Sequence, residues 1–547
     1  MEQAVYDFVT FINGILSNWV LLIGLIATGL FFTIRTRFVQ FRFFGEGFRR
    51  MFGGFSLRGG KQGGGMSSFQ ALATAVAAQV GTGNIVGACG AILIGGPGAI
   101  FWMWIIALLG MATNYAEAVL AQKTRKVDED GTVHGGPAYY ITTAFKGTGG
   151  KFLAGFFAVA IILALGFMGC MVQSNSIAET MHTAFGVPGI AIGIVLVALA
   201  ALIFFGGVSR LASVTEKIVP LMAVVYIIGG LVIIFMNIQN LPATFALIFS
   251  CAFDPSAGLG GAFFGIVAAI TQGAKRGLFS NEAGMGSTPH AHALANVKDP
   301  HDQGVVAMAG VFIDTIVVVT ITALVVIGTL YTNDGKLASA YEAAGSSTNA
   351  IEFAIGTTEE NTVAYSQLDA ALASGDEAAA QKLIEAGDVP IVCALAGSDD
   401  ADEVIAFLND SAAQEEALHD PATLAASVGL SKSNMAQTAF GQFFGSSGGN
   451  IFVAICLLFF AFSTILSWNM FAKLNVMYLF RRKAAVFAFC AVALVFVLLG
   501  ALLSNDLVWE LADLFNQLMV IPNAIALIAL SGAVVACART HEKKKKK

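Results

Sequence analysis

Four residues inside an apolar run, Gly81-Thr82-Gly83-Asn84, carry the first chemistry legible in this chain. From Ala77 to Trp104 the sequence reads AAQVGTGNIVGACGAILIGGPGAIFWMW, rich in glycine and free of charge. Glycine weakens a helix interior by roughly 1 kcal/mol against alanine, so Gly81 and Gly83 mark a point where the backbone leaves helical geometry. Amides freed at a half-helix N-terminus hold a carboxylate. Freed carbonyls and the Asn84 side-chain oxygen suit a small hard cation. Gly83 and Gly87 also fit a small-residue packing face between helices, and the two readings coexist. A dinucleotide fingerprint does not fit, because the third glycine stands one position late, at 87, and no strand–helix unit with an acidic partner follows.

A second polar, glycine-rich stretch, GAKRGLFSNEAGMGS at 273–287, directly follows the apolar GGAFFGIVAAITQ. Non-helical backbone is tolerated at membrane depth only where protein buries it or a cavity receives it. Paired interrupted helices in matching places of two inverted repeats are how transporters build sites near the membrane midplane. Rival chemistries lack their residues: there is no HExxH, no GxSxG and no nucleophile–base pattern, so an enzyme is not expected. A channel would need a continuous polar lining, whereas here the polar residues gather at two breaks. The seven cysteines show no CxxC spacing, and the six in or beside apolar segments read as small buried side chains, so no resident metal or cofactor is expected.

Other polar residues fall in or near apolar runs. Glu117, Glu179, Glu282 and Asp314 are costly there and are expected to face the bundle or water. Glu282 beside Lys275 and Arg276 reads as a structural pair or cytoplasmic gate in preference to an ion ligand. Asp314 fits either helix packing or coupling. His290 and His292 read as loop residues, although proton coupling recruits such groups.

The elements that hold these residues follow from composition. The chain has 547 residues, 56% hydrophobic and 12% charged, with a mean hydropathy of +0.75. Soluble domains carry about 25% charged residues, and a crossing takes about 20 apolar ones. The fold class is therefore an all-α polytopic membrane protein. About eleven spans are expected, near 17–36, 67–95, 98–121, 153–180, 186–206, 217–237, 262–286, 304–331, 450–472, 484–503 and 512–537. No Lys or Arg precedes the first apolar run, which argues against a secretory signal peptide. Basic clusters follow alternate spans: Arg35 to Lys61, Lys123 to Lys126, Arg210 and Lys217, Arg481 to Lys483, and Lys543 to Lys547. The positive-inside rule then places the N-terminus outside and the C-terminus in the cytoplasm of a cell-membrane protein. The terminal lysines read as an anionic-lipid anchor or an appended tail.

Between Thr332 and Phe440, 18 acidic residues face three lysines, a local charge of −15 within an overall −6. This segment is expected outside the membrane, between spans eight and nine, with 366–388 as an exposed amphipathic helix whose apolar positions are Leu368, Leu372, Ala379 and Ile384. The division expected is 1–66, a first helix and basic loop; 67–237, a first five-helix repeat; 238–331, two helices of a second; 332–440, the acidic insert; and 441–547, three further helices and a basic tail. The partner of the insert, if it has one, is not identified by its sequence.

The residues resemble the alanine or glycine:cation (sodium:alanine) symporter family. GGPGAIFWMW at 95–104, running on to Gly110, matches its signature. GTGNIVG at 81–87, VQSNSIA at 172–178, GGVSRLASVTEKIVPLM at 206–222, RGLFSNEAGMGS at 276–287, FIDTIVVVT at 312–320 and FFAFSTILSW at 459–468 resemble further family blocks. The resemblance covers most of the chain except 332–440, a longer insert than the family leads one to expect. It implies a LeuT-like 5+5 inverted repeat preceded by one extra helix, and symport of alanine or glycine with sodium as the coupling ion. It further implies that Gly81, Thr82, Gly83 and Asn84 face the substrate carboxylate, with Gln173 hydrogen-bonding the ligand. Thr464 would receive the ammonium, and Trp468 would wall a methyl-sized pocket. Gly277, Phe279, Ser280 and Asn281 would line it from the second break. Ser463 and Thr464, with Gly81 and Asn84, resemble the fold's sodium site. Coupling to protons, and transport of another small neutral amino acid such as serine, stay open. Membrane lipid and the transported solutes are the partners implied; nucleic acid is not.

Overall fold

The computed structural model describes residues 2–16, 22–53, 66–129, 131–253, 265–358, 361–503 and 505–546. Arg58, Lys61, Lys547 and the first residues of the expected spans 17–36 and 262–286 lie outside them. Apolar segments in lipid must satisfy every backbone group internally, which a helix does. Among the described residues, seven helices are long and apolar enough to cross a membrane. An eighth crossing is a bent pair, Ser68–Gln79 and Gly83–Gly95, which meet at 48°. Three shorter apolar helices are Leu22–Arg35, Gly189–Phe204 and Ile238–Phe253. Among the helices outside the expected spans are Ile238–Phe253 and Glu2–Ile15, both shorter than a full crossing. The expected last span, 512–537, is divided at Leu530.

The helices that build the site are α1 (Ser68–Gln79), α2 (Gly83–Gly95), α3 (Gly98–Thr124), α4 (Gly147–Phe185), α5 (Ile266–Asn281), α6 (Pro300–Leu330), α7 (Ser446–Phe480), α8 (Leu507–Ala529) and α9 (Ser531–Lys546). The most apolar windows of α3, α6 and α7 are 67% buried, against 33% in Gly207–Met236 and 28% in Lys483–Gly500. The first group is therefore the inner bundle. The second turns Leu221, Ile228, Phe235, Phe487 and Val495 outward, as a lipid-facing layer does.

One end of the bundle carries the basic segments. There Lys123 donates to the Ala533 carbonyl at 2.9 Å and Arg42 pairs with Glu542 at 2.8 Å. The acidic segment sits at the other end, as short helices from Lys336–Ser346 to Met435–Phe444. It has an apolar cluster of its own, including Tyr365, Leu368, Ile384, Val392 and Val404. The single helix expected at 366–388 is two, Thr362–Ser374 and Glu377–Glu385. Gly375 at φ 72° ends the first, and Asp376 caps the second through the Ala379 amide at 3.1 Å. The base of the segment is tied to the bundle, with Gln437 donating to the carbonyls of Thr180 at 3.1 Å and Asn450 at 3.2 Å.

Candidate functional site

Helix α1 starts at a capping box between Ser67 and Gln70 and ends at Val80, where the chain turns into a π-turn over Gly83–Gly87 before α2 continues. The break exposes amides that side chains satisfy. Asn84 Oδ1 accepts the Gly81 amide at 2.9 Å. Gln173 Oε1, from α4, accepts the Thr82 amide at 3.0 Å and the Thr82 hydroxyl at 2.8 Å. The need for glycine at 81 is steric: a Cβ there would stand 2.5 Å from Thr464 Oγ1 and 3.0 Å from Gln173 Oε1. At 83 a Cβ would stand 3.1 Å from both Phe279 and the Ser280 backbone, so the break is pressed against α5.

Beside Gly81, oxygens converge from two helices. Thr464 Oγ1 on α7 lies 2.8 Å from the Ala77 carbonyl, 3.1 Å from that of Phe460 and 3.4 Å from that of Val80. Ser463 Oγ donates to the Phe460 carbonyl at 2.9 Å. One hydroxyl has one proton to donate, so three carbonyls around it are more acceptor than it can serve. An oxygen-only cluster of this kind fits a hard cation. The carbonyls of Ala77, Val80 and Phe460 carry no side-chain signal and were invisible in the sequence. Of the four residues named for sodium, Ser463, Thr464 and Gly81 adjoin this cluster, whereas the Asn84 side chain turns away from it.

Asn84 turns toward Asp314. Its amide donates to Asp314 Oδ1 at 2.7 Å and to the Asp314 carbonyl at 3.0 Å. Asp314 Oδ2 accepts the hydroxyls of Ser280 at 2.8 Å and Thr315 at 2.7 Å. Asn281 donates to Thr315 at 3.3 Å, and Gln79 donates to the Asn281 carbonyl at 2.7 Å. Asp314 thus joins the first break to the end of α5, and it does so from a π-segment, Phe312–Val319, a widened turn frequent at functional sites. A lone carboxylate in an apolar run is the signal that pointed to it; direction within the helix was not readable.

The second break begins later than the glycines of 273–287 suggest. Helix α5 runs unbroken through Gly273 and Gly277 to Asn281, and the irregular backbone covers Glu282–Thr288. Gly273 serves packing instead: a Cβ there would lie 2.6 Å from the Ala99 carbonyl and the Trp102 side chain of α3. Gly277 also faces α3, though with ordinary spacing. Glu282 is not paired with Lys275 or Arg276. Both basic residues bind Asp513 of α8, Arg276 through two contacts at 3.0 and 3.3 Å and Lys275 at 3.4 Å. Glu282 instead accepts the indole N–H of Trp468 and the hydroxyl of Ser287. It does so in a left-handed conformation, φ 56°, unfavourable for a residue other than glycine. Glu117 fills the rest of the break, accepting the amides of Gly284 at 3.1 Å and Gly286 at 2.9 Å and the Asn523 side chain at 2.6 Å. His290 and His292, expected in a loop, are buried in the short helix Pro289–Leu294, bonded to Asn475 and Gln303 at 2.8 Å each.

Phe279 meets Trp468 edge-on at 5.8 Å and Trp509 at 5.0 Å, forming an aromatic wall between the breaks. Arg276 lies 4.7 Å over the Trp509 ring, and Lys432, from the base of the acidic segment, 5.7 Å from it. Gly81, Thr82, Gly83, Asn84, Gln173, Phe279, Ser280, Asn281, Thr464 and Trp468 therefore share one buried region; Gly277 stands one turn back, against α3.

A buried break lined with amides and oxygens, inside a bundle of membrane-length helices, defines a multi-pass membrane protein with a buried polar region at its centre. The chain belongs to the sodium:alanine symporter family, whose model matches residues 2–374 and 417–547. It is thus a transporter and not an enzyme. Within the chain, the family match is interrupted over 375–416, a narrower departure than the 332–440 read from the sequence. A sodium/alanine symporter, AgcS, of Methanococcus maripaludis is 36% identical over 97% of this chain and 96% of its own length. A transporter of uncharacterised activity from Haemophilus influenzae is 36% identical over 94% of this chain and 91% of its own. A Bacillus subtilis protein named "Probable sodium/glutamine symporter GlnT" is 32% identical over all of this chain and 92% of its own. A crystal structure of MhsT in complex with L-phenylalanine aligns with 87% of this chain and all of that one, at TM-score 0.37 and 13% identity.

Proposed function

We propose that this chain imports a small neutral amino acid, alanine or glycine, by symport with sodium through alternating access. Family membership supports amino-acid:cation symport. The observation that carries the finer reading is the first break, where neutral amide oxygens of Asn84 and Gln173 cap the Gly81 and Thr82 amides beside the oxygen cluster of Thr464. A substrate carboxylate replaces those neutral caps with a charge-assisted acceptor. Sodium takes the carbonyls of Ala77, Val80 and Phe460 with the hydroxyls of Thr464 and Ser463. Phe279 and Trp468 limit the side chain to about the size of a methyl group. The breaks in α1–α2 and after α5 open two five-helix repeats, 67–237 and 238–331 with 441–547, in a LeuT-like 5+5 arrangement after one extra helix. The basic end faces the cytoplasm, and the acidic segment and N-terminus face outward.

Labelled-alanine uptake into proteoliposomes tests this, under an inward sodium gradient, a proton gradient, or neither. Accumulation above equilibrium with sodium alone, competed by unlabelled glycine, is the expected result. Uptake driven by protons alone favours the second reading, which the buried carboxylates of Asp314, Glu282 and Glu117 motivate. Serine as competitor then distinguishes the substrate. Concentrative uptake under neither gradient removes both.

A further inference from the structure

At the basic end, far along the chain from the break, three ligand-type side chains meet. Glu46 comes from the helix Phe44–Gly53, His301 from the first turn of α6, and His541 from α9. One ligand atom of each lies within 4.8 Å of the other two. His541 Nε2 is 3.0 Å and His301 Nε2 4.0 Å from Glu46 Oε1, and the two imidazoles stack at 3.8 Å. The His301 ring is held from behind, since the Tyr115 hydroxyl lies 2.8 Å from its Nδ1. That leaves Nε2 aimed at Glu46 and His541. This nitrogen is fully buried and has no hydrogen-bond partner among the described residues, a costly state for a polar atom.

We propose that Glu46, His301 and His541 form a transition-metal site, for zinc or a similar divalent ion, that fastens the C-terminal helix to the bundle. Two imidazoles and one carboxylate suit zinc, cobalt or nickel, and the all-oxygen preference of sodium or magnesium makes those ions poor occupants. A hydrogen-bonded second nitrogen on a ligating histidine, as Tyr115 supplies for His301, is the usual outer support of such a ligand. His541 is on a terminal helix and its side chain is 14% exposed, so its ring can tilt to bring both Nε2 atoms to about 2.0–2.1 Å from one ion. Water completes the coordination. The ion takes the place of the proton held between His541 and Glu46, which leaves for solvent. Arg50, which contacts Glu46 at 3.0 Å, also binds Asp302 at 2.9 Å and so keeps a carboxylate partner when the ion enters.

The test uses the full chain, purified without a polyhistidine tag and stripped with chelator, then titrated with Zn²⁺. Bound metal is counted by mass spectrometry and melting temperature is followed; Co²⁺ serves as an optical probe of nitrogen ligation. The expected result is one Zn²⁺ per chain with a raised melting temperature. His541→Ala and Glu46→Gln each lower affinity at least tenfold and remove the rise, while His134→Ala, on a half-buried histidine paired with Asp128 away from the cluster, changes neither. His301→Gln also removes the Tyr115 contact, so the weight rests on His541→Ala. Absence of stoichiometric Zn²⁺ binding by the unaltered chain, or undiminished binding by a folded His541→Ala, overturns the proposal. Sodium-driven uptake is measured separately, so failure of this site and failure of the transport reading are told apart.

Discussion

The two breaks in this bundle solve the same problem with different chemistry. At the first, the freed amides of Gly81 and Thr82 are capped by the neutral side-chain oxygens of Asn84 and Gln173. At the second, the amides of Gly284 and Gly286 are capped by the carboxylate of Glu117, itself gripped by Asn523. A neutral cap yields to a ligand carboxylate, because charge-assisted hydrogen bonds are roughly twice as strong. A carboxylate cap does not. Under the proposed function, the first break is then the place of exchange and the second a fixed joint.

The largest expected effect tests the joint. Glu117→Ala leaves two buried amides and a side-chain amide without their acceptor, at about 1–3 kcal/mol each. Loss of monodisperse protein in detergent is expected, with Glu117→Gln intermediate because one acceptor oxygen survives. A stable, fully active Glu117→Ala would abolish the contrast. Next, Asn84→Ala and Thr464→Ala are expected to lower sodium-driven uptake at least tenfold at matched membrane levels, with melting temperatures within a few degrees of the parent. Normal uptake by either variant removes that residue from the exchange site. A smaller effect is expected for Gly81→Ala, whose Cβ would fall 2.5 Å from Thr464 Oγ1. Overpacking of this kind costs about 1–3 kcal/mol, read as a lowered melting temperature together with weakened uptake. The smallest belongs to Thr464→Ser, which keeps the hydroxyl; its half-saturating sodium concentration should move by less than threefold, and a Thr464→Ala-like loss would mean that the methyl group, not the oxygen, matters.

The first break was legible because glycines and a lone Asn84 interrupt an otherwise uncharged apolar run, where no packing need explains a polar residue. The second was legible only in outline. Gly273 and Gly277 read as helix breakers, yet they lie in a continuous helix that passes close to α3, and glycine serves either purpose with the same residue type. Glu282 stood next to Lys275 and Arg276 in sequence but faces the opposite way, because it follows the helix end and takes a left-handed turn. Asp314 was visible as a carboxylate out of place. Thr315 is its neighbour in the chain, but its other partners, Asn84 and Ser280, come from two further segments whose meeting only tertiary packing decides. That carbonyls are freed at the first break was readable, but which of them surround Thr464 was not, since every residue has one.

Helix α7 is continuous for 35 residues and touches both breaks. Thr464 reaches the oxygen cluster beside the first, and Trp468, one turn along, reaches Glu282 at the second. A continuous helix that rotates as one body turns both side chains together. If an ion occupies the oxygen cluster as proposed, its binding at Thr464 and the hold on Glu282 are linked in the thermodynamic sense: whatever favours one biases the other by an equal free energy. For a membrane that stores a gradient, the consequence is economy of leakage. Under the proposed symport, an ion that passes alone must still move the helix that the second break holds, and uncoupled slippage is disfavoured.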